Sequence, residues 1–167
     1  SDGDTGAKVR RNLAGAYSRS ADLLANIGGQ YEPAYALHVR ALEIYESLLR
    51  EHPLDAEMRK EAAYMLMDAG ETAAHTGRAQ EGLRRRQEAV DRLRALSDAD
   101  PQREELRFTL GWALGELADS LNDHHRTADA KQRLEEAQSL LGALSGARAT
   151  RLNTTQFLMA MHDMKLG

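Results

Sequence analysis

Residues 54 to 101, LDAEMRKEAAYMLMDAGETAAHTGRAQEGLRRRQEAVDRLRALSDADP, decide the fold, because the flanking sequence lies on them as imperfect copies at a fixed step. Ala41, Ala89 and Ala137 are 48 residues apart, as are Ala34, Gly82 and Ala130. Pro53 and Pro101 keep the step, and so do Leu48, Leu96 and Leu144. Self-similarity at this period marks an array whose units cannot bury their apolar faces alone and lean on their neighbours.

Within the repeat the apolar spacing is helical. Leu66, Met67 and Ala73 precede a turn at Gly77, and Leu83, Ala89, Val90, Leu93 and Leu96 follow it, with Asp55 as the expected N-cap. Upstream, Val9, Leu13, Ala16, Tyr17, Leu24 and Ile27 form one stripe ended by Gly28 and Gly29. Pro33 then sits in a first turn, and His52 with Pro53 closes the return helix. Downstream, Asp100 and Pro101 read as a helix start, and a pair spans Leu106 to about Asn122 and about Thr127 to Leu144. In its turn, His125 stands where the other repeats place Gly. At the end, Asn153 and Gln156 resemble a capping box ahead of an apolar face of Leu152, Phe157, Leu158, Met161 and Met164.

The expectation is a single all-α domain over residues 1–167, with repeats at about 7–53, 54–101 and 102–146 and a capping helix at about 150–165. Ser1 to Gly6 read as a polar lead-in, and a start other than Met suggests a piece of a longer protein or a Ser1 left by a cleaved tag.

The order of bulky, apolar and small residues in the aligned repeats resembles that of the tetratricopeptide repeat. The matching positions are Leu66, Ala69, Gly70, Ala73, Gly77, Gly82 and Ala89 in the second copy; Tyr17, Ala21, Leu24, Gly28, Ala34 and Ala41 in the first; and Leu114, Leu117, Ala118, Leu121, Ala130 and Ala137 in the third. An extra residue near Gly29 shifts the first helix to a step of 49. His38 and Arg86 depart from the pattern, standing where that family has a large apolar residue, and the units exceed its usual length of about 34 residues. The long return helix and the DAEMRKEAA-like start also resemble the array at the C-terminus of many bacterial serine/threonine protein kinases. No kinase Gly-rich loop, HRD or DFG occurs, so this stretch does not itself transfer phosphate.

The resemblance implies a right-handed solenoid of three antiparallel helix pairs whose first helices line a concave groove. Its exposed positions would include Ser18, Asp22 and Asn26, then Tyr64, Met67, Glu71 and His75, then Trp112, Asp119, Asn122 and Asp123. Asp22, Glu71 and Asp119 are equivalent and make an acidic column that suits a protein or peptide bearing Lys or Arg. A second reading pairs these acids with Arg19, Arg59, Lys60 or Arg107 and places Trp112 in the core.

Other chemistry finds little footing. The absence of Cys excludes disulfides and thiolate nucleophiles, and no Ser or Thr sits in a recognisable base motif, so neither an enzyme nor a cofactor is expected. Asp123, His124 and His125 raise a metal site, but adjacent histidines on a turn rarely aim at one ion, and His38, His75 and His162 stand isolated. A net charge of −4 and a basic run (Arg84, Arg85, Arg86, Arg92, Arg94) spread around its helix argue against nucleic acid. No apolar run is long enough for membrane insertion, and a cytoplasmic location is expected. Two rivals to peptide recognition are a homodimer through a terminal hairpin or the Met-rich last helix, and an α-helical ligand-binding or enzymatic domain.

Overall fold

The computed structural model describes residues 2–142, with side chains from residue 5 onward. The capping helix expected at about 150–165 lies outside these residues, as does His162. The described residues form six helices and no strand: α1 (Asp2–Gly28), α2 (Tyr31–Glu51), α3 (Ala56–His75), α4 (Ala79–Ala99), α5 (Glu104–Asp123) and α6 (Thr127–Gly142). The chain is all-α. None of these helices is long and apolar enough to cross a membrane.

The turns repeat with the sequence. Asp55 N–H bonds the His52 carbonyl at 3.1 Å, and 48 residues on Arg103 N–H bonds the Asp100 carbonyl at 3.1 Å. Pro53 and Pro101 therefore occupy the second position of matching β-turns, where a fixed φ suits the chain. This corrects the expected start of the third pair. Asp100 and Pro101 belong to the turn, and α5 begins at Glu104 after Arg103 as N-cap. Asp55 is the cap foreseen, accepting from the Met58 N–H at 2.9 Å. At the other end, α1 extends to Asp2, through residues read as a lead-in.

Helix C-termini close in matching ways. Arg78 N–H bonds the Ala73 carbonyl and Arg126 N–H bonds the Leu121 carbonyl, each at 2.9 Å. The same closure after α1 runs from Gln30 N–H to the Leu24 carbonyl and spans one residue more, as the shift near Gly29 requires. Gly29 (φ 59°), Gly77 (φ 78°) and His125 (φ 58°) take the left-handed conformation at the three turns.

By contact density the chain divides into two compact units, one ending at Arg92 and the other beginning at Leu93, within α4. In the first, α2 packs on α1 and on α3. Its core is small and aliphatic: Ala14, Ala21, Ala34, Ala41, Leu48, Leu66 and Ala89 are sealed from solvent. Close approach explains the small residues there, since a methyl on Gly82 would stand 2.5 Å from the Gly70 carbonyl oxygen. In the second unit α5 packs on α6 around Leu110, Leu114, Leu117 and Leu134, and a methyl on Gly111 would meet Leu141 at 2.6 Å.

Candidate functional site

The richest polar constellation of the first unit gathers on a buried imidazole. His38, on α2, is 2% exposed. Its Nε2 lies 3.3 Å from Asp22 Oδ1 on α1, and its Nδ1 lies 3.3 Å from Thr72 Oγ1 on α3. Burial pushes the imidazole below the usual histidine range, against the opposing pull of Asp22 and Glu71. The ring is therefore neutral at pH 7, and the Asp22 contact is a hydrogen bond more than an ion pair. Neutrality also assigns the protons: Nε2–H donates to Asp22, and the Thr72 hydroxyl donates to Nδ1. Protonating the ring would make both nitrogens donors. Thr72 would then turn its hydroxyl to the Asp68 carbonyl, 3.0 Å away on its own helix.

A second acid–base pair repeats the first one period later. Glu71 approaches the Arg86 guanidinium at 3.8 Å. His38 and Arg86 are 48 residues apart, both buried, and Leu134 occupies the third equivalent position. A site that holds a leucine in one copy thus holds a base in the other two. Each base faces the acid that occupies the matching place on the preceding odd-numbered helix. Asp68 lies on the same side: ligand atoms of Asp22, His38 and Asp68 are all within 4.8 Å of one another, the one such group among the described residues able to hold a metal ion. A cation there would take Nε2 as a lone-pair donor, with Nδ1–H turned to Thr72.

Aromatic and arginine side chains of the same unit pair between α2 and residues 75–85. Tyr31 stacks on His75 with ring centroids 4.2 Å apart. Tyr35 donates its hydroxyl to Glu81 at 2.8 Å, with the Arg78 and Arg85 guanidiniums 4.8 and 5.8 Å from its ring centre. Burial, then Glu81, raises the Tyr35 hydroxyl, while Arg85, then Tyr35, holds the Glu81 carboxyl below the usual carboxylate range. Glu32 meets Arg78, and Glu46 meets Arg92, so a row of ion pairs follows one edge of the unit.

The groove residues foreseen from sequence divide. Asp22, Asn26, Glu71 and His75 are exposed in the first unit, although His75 spends one ring face on Tyr31. Tyr64 is half-buried. Met67 is not at a groove surface: it is 2% exposed, because α3 is enclosed on nearly every side and leaves its apolar positions no open face. In the second unit Asp119 is exposed, while Trp112 and Asn122 are half-buried. Asn122 serves the turn, its carbonyl accepting from His125 N–H at 2.8 Å.

Pairing of the acids with bases is real for Asp22 and Glu71, but with other partners than foreseen; Lys60 meets Glu57 and Arg107 meets Glu104. His124 donates Nδ1–H to the Ser120 carbonyl at 2.7 Å, a local capping contact, while Asp123 and His125 face solvent. The arginine run fans out as its spacing requires. Yet only Arg84 is an outward residue; Arg85 and Arg86 are largely buried against Glu81 and Glu71, and Arg94 meets Glu136.

His38, Asp68, Thr72 and Arg86 were absent from the expected site. The signal for two of them lay in the repeat itself, where His38 and Arg86 break an apolar position at the 48-residue step. No protein-family model matches this chain, and neither does any curated protein or solved structure.

Proposed function

We propose that the chain is a non-catalytic interaction module that receives a basic peptide or protein segment on the acidic face of its first unit. The observation that carries this reading is the pair of exposed carboxylates, Asp22 on α1 and Glu71 on α3, on the same side of the unit as His38. Glu71 has Arg86 at 3.8 Å whereas Asp22 has a neutral imidazole, and a Lys or Arg side chain complements the two acids.

The architecture proposed with it is a right-handed solenoid of antiparallel helix pairs, as in tetratricopeptide arrays. Two features support that arrangement: the pairing of Arg10, near the start of α1, with Glu51, the last residue of α2, at 2.7 Å, and the recurrence of turn and cap geometry 48 residues apart. The parent context proposed is a cytoplasmic signalling protein of the bacterial serine/threonine kinase kind, whose catalytic domain would supply the chemistry.

A peptide-array screen followed by fluorescence anisotropy tests the recognition. Lys- or Arg-bearing peptides should bind, and the double variant Asp22→Lys/Glu71→Lys should lose at least tenfold in affinity. Equal binding by the charge-reversed protein would remove the proposal.

A further inference from the structure

The outer side of α1 carries an apolar seam that no other described part of the chain covers. Val9 is 60% exposed, Leu13 44%, Leu23 60% and Ile27 81%. Ala16 and Ser20 are exposed between them. The six positions 9, 13, 16, 20, 23 and 27 advance by steps of four, three, four, three and four. That is the 3.5-residue repeat by which two helices wind about each other, and it falls on one stripe of α1. The side of α1 turned to its own unit is a different one, marked by buried Ala7, Ala14, Ala21 and Ala25.

The seam is also a palindrome. Reversed about residue 18 it superposes on itself, so that position 9 meets 27, 13 meets 23, and 16 meets 20. We infer that a second copy of this chain occupies the seam, its α1 laid antiparallel along the first with the two-fold axis beside residue 18. Large residues then meet large ones at both ends, Val9 with Ile27 and Leu13 with Leu23. At the centre Ala16 meets Ser20, where the absence of bulk lets the helices approach closely. A patch that fits itself under a two-fold rotation is what an isologous dimer requires.

Charge favours the same orientation. The last turn of α1 has no basic residue to offset the negative end of its helix dipole, while Lys8, Arg10 and Arg11 lie in its first half. Antiparallel pairing brings Lys8 and Arg11 of each helix toward the carboxyl end of the other, with Asp2 and Asp4 lying beyond them. Arg19 flanks the axis and faces its symmetry mate, and salt screens this repulsion together with the attraction at the ends. The seam is about 27 Å long and about 10 Å across. Covering it on both copies removes on the order of 600 Å² of surface, less than the roughly 1,200 Å² of a standard stable interface. The dimer is accordingly weak and concentration-dependent.

Sedimentation velocity from micromolar to millimolar protein, combined with thiol cross-linking, provides the test. Wild type should pass from monomer to dimer over this range. Leu23→Glu and Ile27→Glu should weaken association at least tenfold while leaving the helical melting curve in place, since both side chains already face water. The chain has no cysteine of its own, so single thiols report unambiguously. Leu13→Cys and Leu23→Cys should form a disulfide when mixed, and neither should do so alone, because Cα atoms more than about 7 Å apart cannot be bridged. A wild type monomeric at every concentration would assign the seam to a different chain and overturn the inference. Association unchanged in the glutamate variants, or a disulfide formed by either cysteine variant alone, would overturn it as well.

Discussion

His38 shows how much a single position can depart from its pattern without breaking the fold. Position 134 holds leucine at the equivalent place, so the site accepts an apolar side chain of similar reach. His38→Leu removes one partner of two contacts but orphans no buried group, because Asp22 is exposed to water and the Thr72 hydroxyl has the Asp68 carbonyl at 3.0 Å. We expect the variant to keep stability at pH 7 within about 1 kcal/mol of the parent.

Its pH response should differ. A histidine whose folded-state pKa is depressed contributes stability that is fully present above its unfolded value and is lost as pH falls toward the folded value. In chemical denaturation, the parent should therefore weaken as pH drops below about 6.5, and the leucine variant should show less of that slope before the carboxylates titrate. An unchanged slope would mean that His38 is not the titrating group. Asp22, Asp68, Glu71 and Arg86 surround it from three helices.

Glycines allow a second comparison at this scale. Gly82→Ala should destabilise by about 1–3 kcal/mol, because its methyl would meet backbone rather than a movable side chain. A methyl on Gly115 would meet nothing within 4 Å, and Gly115→Ala should stabilise α5 by about 0.5–1 kcal/mol. Thermal melts of the two variants moving in the same direction would contradict this account. The crowding at Gly82 was legible in the repeat as a small residue at the 48-residue step. The Thr72 contact with His38 and the approach of Asp68 were not, because on a helix enclosed nearly all round the sequence does not say which neighbour a polar side chain will find. Met67 was misplaced for the same reason.

At the level of the helices, caps and turns were the readable part. Asp55 caps α3, Gly77 and Gly29 close helices, and His125 takes the conformation that glycine holds in the other two turns. A side chain with a β-carbon costs roughly 1 kcal/mol or more in that region, partly offset by the unfolded-state entropy of glycine. His125→Gly should thus raise stability by about 0.5 kcal/mol, detected as a higher melting temperature. A lower one would indicate that the exposed imidazole contributes more than its backbone costs. The start of α5 was misread because Asp followed by Pro suits both a helix entry and a β-turn, and here the hydrogen bond from Arg103 to Asp100 closes the turn first. The exposed seam on α1 was legible only in part. Val9, Leu13, Ala16 and Ile27 were recognised as a stripe, but whether a stripe faces inward or outward depends on what packs beside it, and the alanines won the inner side.

Among residues 2–142, periodicity announced the six helices and where most of them stop. It did not announce the division at Arg92 and Leu93, because that division follows packing density and not the repeat. The expected boundaries at about 53 and 101 fall in turns, whereas this one falls inside a helix.

The continuity of α4 from Ala79 to Ala99 has a practical consequence for how the molecule can be dissected. Proteases need an extended strand of backbone, and a helix that runs unbroken through position 92 denies it to them. Brief digestion should therefore nick the loops around Gly77 and His125 and spare the junction between the compact units. An early cut at Arg92 would show that the helix frays there. Nature's unit of copying and the chain's unit of compactness would in that sense be two different lengths of the same polypeptide, and only the former ends where an enzyme can cut.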